Sequence, residues 1–335
     1  MSDTAQYPLP VAQAARLSVA PMMDWTDRHC RYLHRLMSRH TLLYTEMVTA
    51  PAVINGDRNR LLGFDETEHP VAVQLGGSDA AQLAEAAKIA ADYGYDEVNL
   101  NCGCPSDRVQ SGAFGAVLME SPDLVAKACA AMIAVVDVPV TVKCRIGVDD
   151  QDPAQVLPDF LAQVSAAGVD RFTIHARKAW LQGLSPKENR DIPPLDYDLV
   201  RQMKAMFPHL HISVNGGVES LDAAEGFLDG LDGVMIGRAA YHTPAAILLD
   251  ADQRIFGGGN AHTAEKVVHL MLPYIADHLG AGGRLHHITR HMLGLFQGRP
   301  GARMWRRHLS ENAHRDDADG GVVLAALSYV DAQAA

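Results

Sequence analysis

The chain has 335 residues, 48% of them hydrophobic and 21% charged, with a formal net charge of −11. That composition supports a large buried core and excludes an extensively disordered chain, and no apolar run approaches the ~18 residues that span a bilayer. Five cysteines, at 30, 102, 104, 129 and 144, form no disulfide-dense pattern, so a soluble cytoplasmic protein without a membrane partner is expected.

Met1 to Arg16 contains acidic Asp3 and two prolines and lacks the apolar stretch of a signal peptide. From residue 17 to about 240, short β-branched runs alternate with longer helical stretches. Strands are predicted at 17–20, 42–45, 71–75, 97–101, 140–144, 171–175, 211–214 and 233–236. Runs such as VAVQL and VMIG suit strands buried on both faces of a parallel sheet. Between strands, Asp79 with Gln82 reads as a capping box and Gly94 as the stop of the same helix. Ser121-Pro122 reads as an N-cap followed by the first helical residue. Eight strands, each followed by helical sequence, predict the α/β class and a (β/α)8 TIM barrel. An open doubly wound sheet is the weaker alternative, because no G-x-G-x-x-G follows the first strand. After Gly257-Gly258-Gly259 the strand signals stop. Residues 1–258 are therefore assigned to a barrel domain and 259–335 to a small C-terminal helical domain.

The net charge alone argues against a nucleic-acid partner, but its distribution argues for one. Arg284 to His308 holds six arginines (284, 290, 299, 303, 306 and 307), four histidines and no acidic residue. A basic block on an acidic protein is a local electrostatic footprint.

Active sites of such barrels are built from the loops at the C-terminal strand ends. Those positions are polar on most strands: Asp24, Glu46, Gln74, Asn101 with Cys104, Lys143 with Arg145, His175, Asn215 and Arg238. SVNGG and MIGR place glycines where backbone N–H groups can approach a phosphate, a recurrent feature after strands seven and eight. A phosphate-bearing cofactor or substrate is expected there. Lys143 could form a Schiff base or stabilise an anion, and His175 beside it reads as a ligand contact. Cys102-Gly-Cys104 lacks zinc spacing, and His287 with His291 has no neighbouring carboxylate, so no metal site is expected. Cys104 heads a loop, CPSDRVQSGAFGAV, whose glycines 112 and 115 would let it close over a substrate. An ordinary thiol, with a pKa near ~8.5, is mostly protonated at neutral pH and can donate a proton.

APMMDWTDRHCR, VAVQLGG, EVNLNCGCPSDRVQSGAFGAVLM, VTVKCRIG, FTIHARKAWLQGLSPKENR, ISVNGGV and VMIGRAAY resemble the tRNA-dihydrouridine synthases. The loop after strand six is similar to the A-type subfamily. The resemblance implies an FMN oxidoreductase that uses NADPH to reduce the C5=C6 bond of D-loop uridines U20 and U20a in tRNA. It implies that Pro21, Met22, Met23 and Gln74 hold the isoalloxazine and that Lys143 and His175 also contact FMN. Asn215, Gly216, Gly217, Gly237 and Arg238 would take its phosphate. Cys104 would protonate uracil C5, with Asn101 against the target uridine. Lys187, Arg190, Arg303 and Arg306 would touch tRNA, the last two within the basic block.

A flipped uracil needs a separate platform to grip the RNA beside the pocket, which gives the helical C-terminal segment a purpose. The competing reading is an FMN barrel acting on a small molecule, resembling dihydroorotate dehydrogenases; the arginine block speaks against it. A lysine-dependent aldolase and a catalytically dead RNA-binding barrel are the remaining alternatives. A monomer is compatible with all of the above.

Overall fold

The computed structural model describes residues 9–106, 114–259 and 262–331. Eight parallel strands close into a barrel in sequence order: β1 (Leu17–Val19), β2 (Leu42–Thr49), β3 (Val71–Gly76), β4 (Glu97–Cys102), β5 (Val140–Arg145), β6 (Arg171–His175), β7 (His211–Asn215) and β8 (Gly233–Ile236). Closure comes from β1 pairing with β8, Leu17 opposite Val234. The expected strands are all present. β2 runs four residues longer than expected, through a register irregularity between Tyr44 and Met47 that no local pattern announces.

The strands are buried on both faces, yet β4 to β7 alternate sharply in chemistry. Val98, Leu100 and Cys102, like Val142, Phe172 and Val214, join the apolar core shared with the surrounding helices. Their neighbours Glu97, Asn99, Asn101, Thr141, Thr173, Ser213 and Asn215 are buried polar residues, and period-two geometry turns them to the interior. Barrel interiors are usually filled by branched aliphatics. Here the separate apolar cluster among the described residues is small, with Leu42, Tyr44, Ala72 and Met235 among its members.

Helix ends follow from local chemistry. Asp79 accepts the Gln82 N–H as an N-cap, although no reciprocal side-chain bond from Gln82 completes the expected box among the described residues. Gly94 follows that helix at φ 106°, a left-handed conformation that favours glycine. Ser121 takes the expected N-cap position before Pro122, with no capping hydrogen bond from its side chain among the described residues. Pro122 at the first helical turn is left to set the start.

Helix Ala251–Phe256 ends on Gly257 at φ 76°. Helices Ala264–Gly280, Leu285–Met292, Ala302–Asn312 and Gly320–Asp331 follow. Leu285, Ile288, Met292 and Trp305 belong to the same apolar core as the barrel's outer shell. A polar tie also joins the two parts. Asp27 caps helix Arg28–Met37 by accepting the His29 and Cys30 N–H groups at 2.9 and 3.0 Å, and pairs with Arg290 at 2.5 Å and His291 at 3.0 Å. Burial opposes the charged form of Asp27, but those partners outweigh it and hold the carboxyl well below its ordinary range.

Candidate active site

The parallel register brings the strand-end side chains to matching heights. Gln74 lies opposite Asn99, Asn101 opposite Lys143, Arg145 opposite His175, and His175 opposite Asn215. Lys143 Nζ donates to Asn215 Oδ1 at 3.0 Å, and Asn215 Nδ2 donates to the Met235 carbonyl at 2.8 Å. Burial, helped by the neighbouring Arg145 charge, pushes the Lys143 ammonium down to about 8.

Burial and the Arg145 and Lys143 cations keep His175 well below its ordinary 6.5, so the imidazole is neutral at pH 7. Its ring makes no side-chain hydrogen bond among the described residues. The backbone of Gly216, at φ 105°, passes so close that a Cβ there would stand 2.5 Å from His175 Cδ2. Glycine is required twice over, for conformation and for space.

Cys104 is the one described cysteine with partial exposure; Cys30, Cys102, Cys129 and Cys144 are buried. Its N–H donates to Asn101 Oδ1 at 3.0 Å, its carbonyl accepts from Ala116 N–H at 2.9 Å, and its Sγ lies 3.5 Å from Ser106 Oγ. Most of the glycine-bearing loop, residues 107–113, lies outside the described residues, and with it Gly112. Lys143, Arg145 and Arg190 each lie within electrostatic reach of Cys104.

Arg145 received no role from the sequence. It is 2% exposed and donates to the carbonyls of Gly103, Lys178 and Asn189 at 2.9–3.0 Å. It ties the Cys104 turn to the loop after β6. The available signal was its spacing: two residues beyond Lys143, it lies on the same face of β5.

The other expected residues divide. Gln74 is 1% exposed, with its oxygen taken by Asn101 and one amide hydrogen given to Asn99, so one N–H is left for a ligand. Met22 spends its N–H and carbonyl on Thr26, while Met23 beside Pro21 is an exposed apolar side chain, 53% accessible. Gly237 precedes the five-residue helix Arg238–His242. Arg238 is paired with Asp191 of the β6 loop at 2.8 Å, an engagement the sequence did not show. Lys187 and Arg190, on the same loop, are exposed.

The basic block is mostly neutralised. Arg284, Arg290, Arg299 and Arg307 pair with Asp316, Asp27, Glu265 and Glu311. Arg303 has no ion pair among the described residues, and Arg306 bonds only the neutral Gln297 side chain. An open cleft of about 340 Å³, lined by Arg28, His29, Asn59, Arg60 and His278, adds basic surface. Among the described residues no three His, Cys, Asp or Glu side chains group as metal ligands, and no helix is long and apolar enough to cross a membrane.

Residues 18–332 match the family described as Dihydrouridine synthase. The chain belongs to the dihydrouridine synthase family. Membership makes it an oxidoreductase, in keeping with the Cys104, Lys143 and His175 grouping. It is similar to the tRNA-dihydrouridine(20/20a) synthase of Vibrio cholerae, 60% identical over 322 residues, covering 96% of this chain and 98% of that protein. The protein of that name from Escherichia coli strain K12 is 59% identical, covering 95% of this chain and 92% of its own length. Two solved structures share the fold at low identity. An old yellow enzyme homologue from Zymomonas mobilis has a TM-score of 0.52 at 13% identity, over 74% of this chain and 90% of that one. Morphinone reductase has a TM-score of 0.52 at 12% identity, over 76% and 91%.

Proposed function

We propose that this dihydrouridine synthase reduces the C5=C6 bond of tRNA D-loop uridines at positions 20 and 20a in the cytoplasm, with FMN as cofactor, NADPH as electron donor and Cys104 as proton donor. The positions follow the names of the relatives at about 60% identity. The observation that carries the chemistry is the single accessible thiol, Cys104, held on Asn101 among Lys143, Arg145 and Arg190 at the mouth.

The mouth fits a flavin mononucleotide. A neutral imidazole without a side-chain partner among the described residues, a glycine cradle that a Cβ would fill, a half-buried lysine and an exposed methionine meet there. Pro21, Met22 and Met23 with Gln74, Lys143 and His175 would hold the ring system. Asn215, Gly216, Gly217, Gly237 and Arg238 would hold the phosphate, Arg238 from its pairing with Asp191. Bound there, FMN would supply the two-electron reducing equivalent that uracil C6 takes up. Cys104 donates the proton that completes C5, Lys143 stabilises negative charge, and Asn101 orients both the Cys104 turn and the base.

In this reading residues 1–258 carry the chemistry and 259–335 grip the RNA. The two arginines of the block without a carboxylate partner among the described residues, Arg303 and Arg306, are the two expected to touch tRNA, with Lys187 and Arg190 across the mouth. Replacing Arg303 or Arg306 by alanine should lower the magnitude of the log K against log [salt] slope by about 1 each. Arg284→Ala and Arg307→Ala should change it less, because their charges are already matched. Slopes and affinities unchanged from the parent in all four variants would favour a small-molecule substrate.

Lys143 gives the pH dependence. Its ammonium is charged below about 8 and loses its charge as pH rises past that value. The rate of tRNA reduction should fall as pH rises past that value, and Lys143→Met should be slow on both sides of it, with a shallower alkaline fall than the parent.

The deciding experiment is reduction of unmodified tRNA by the purified protein with NADPH, with mapping of dihydrouridine. The proposal expects a yellow protein that releases FMN on denaturation and modifies positions 20 and 20a. A colourless protein that FMN cannot reconstitute, or dihydrouridine elsewhere, overturns it.

A further inference from the structure

Inside the barrel, side-chain hydrogen bonds run in one direction from mouth to floor. The Gly103 and Cys104 N–H groups donate to Asn101 Oδ1 at 2.9 and 3.0 Å, and Asn101 Nδ2 donates to Gln74 Oε1 at 2.7 Å. Gln74 Nε2 donates to Asn99 Oδ1 at 2.8 Å, and Asn99 Nδ2 to Thr141 Oγ1 at 2.8 Å. The Thr141 hydroxyl donates to Glu97 Oε1. None of these side chains is more than 8% exposed, and Glu97 is fully buried. Tyr44 donates to the same Glu97 oxygen at 2.7 Å, and Arg171 pairs with the other.

The direction follows from chemistry. An ionised carboxylate only accepts, so the Thr141 proton must point to Glu97, and the Thr141 oxygen must accept from an N–H of Asn99. That choice turns the Asn99 oxygen to Gln74, the Gln74 oxygen to Asn101, and the Asn101 oxygen to the Cys104 turn. Reversing any amide would set donor against donor or acceptor against acceptor in a buried place, where an unmade hydrogen bond is costly.

We propose that Glu97, at the barrel floor, is a positioning residue for the reaction: through Thr141, Asn99 and Gln74 it aims the Asn101 oxygen at the Cys104 backbone and so holds the thiol at the mouth. Asn101 is thereby a bracket for the proton donor as well as a base contact. The turnover part of the test rests on the function proposed above; the thiol part does not.

The test uses the holoenzyme with Thr141→Val, which fills the space but breaks the chain, and Thr141→Ser, which restores the hydroxyl. Two quantities are read: the rate of Cys104 alkylation by iodoacetamide, the other four cysteines being buried, and tRNA turnover. Thr141→Val should alkylate about fivefold faster and lose about fivefold in kcat, ~1 kcal/mol, the worth of one hydrogen bond, with KM for tRNA little changed. Thr141→Ser should return both towards the parent. Glu97→Gln, whose amide can donate as well as accept, should move both in the same direction as Thr141→Val and serves if the valine variant does not fold. Parent-like alkylation in Thr141→Val, or equal impairment by serine and valine, overturns the proposal. A parent enzyme that alkylates normally but reduces no tRNA would sink the proposed function and leave the thiol comparison intact.

Discussion

Cys104→Ala is expected to slow tRNA reduction about 10²–10⁴-fold, the usual contribution of a general acid, while flavin content and reduction by NADPH stay unchanged. The expectation follows from where the thiol sits. Cys104 is part-exposed and lies on a turn held by Asn101, Arg145 and Ala116. The turn keeps its backbone bonds when the sulfur is removed. Stopped-flow measurement of the two half-reactions separates the possibilities. Wild-type turnover with tRNA would remove Cys104 from the mechanism, and equal losses in both halves would make it a flavin-binding residue. Cys102→Ala is the natural control: that thiol is fully buried in the outer apolar core, so its loss should cost stability rather than the tRNA half-reaction.

Asp27→Ala should have the largest effect on stability, about 3 kcal/mol. An N-cap is worth ~1 kcal/mol and hydrogen bonds to charged groups ~1.5–3 kcal/mol, and Asp27 provides both at once. Asp27→Asn separates the two contributions, since asparagine caps as well as aspartate but carries no charge. The sign of the pH dependence follows from the depressed carboxyl. Its partners, Arg290 and the cap N–H groups above all, stabilise the fold above the ordinary 3.8, and that contribution is lost as pH falls through the lowered folded-state value. The gap in Tm between parent and Asp27→Asn should therefore narrow below pH ~4. A gap that is constant with pH would mean the ion pair contributes nothing.

How much of this was legible depended on distance along the chain. Strands and their mouth residues were readable because each is a short local pattern ending in Asn, Lys, His or Gly. The polar interior was also present in the alternation of EVNLNC, TVKCR, RFTIH and HISVN, but the expectation of strands buried on both faces masked it. What could not be read was pairing between distant segments. Asp27 with Arg290 and Glu265 with Arg299 exist only once the C-terminal helices pack, so the arginine block looked more charged than it is. Arg238 with Asp191 and the reach of Arg145 into two loops were hidden for the same reason. Ser121 and Pro122 were legible as a helix start, and only the missing capping hydrogen bond of the serine side chain was not.

A barrel filled with amides and ions also constrains the order in which the chain assembles. The apolar driving force lies between strands and helices, so collapse proceeds on the outside of the ring and cannot be templated by a greasy interior. The buried amides gain their partners only when neighbouring strands are in register, and β1 meets β8 across more than two hundred residues, a contact of high closure cost. Ring closure should therefore be a late event. Pulse-labelled hydrogen exchange during refolding should find amides of β4 to β6 protected before those of β1.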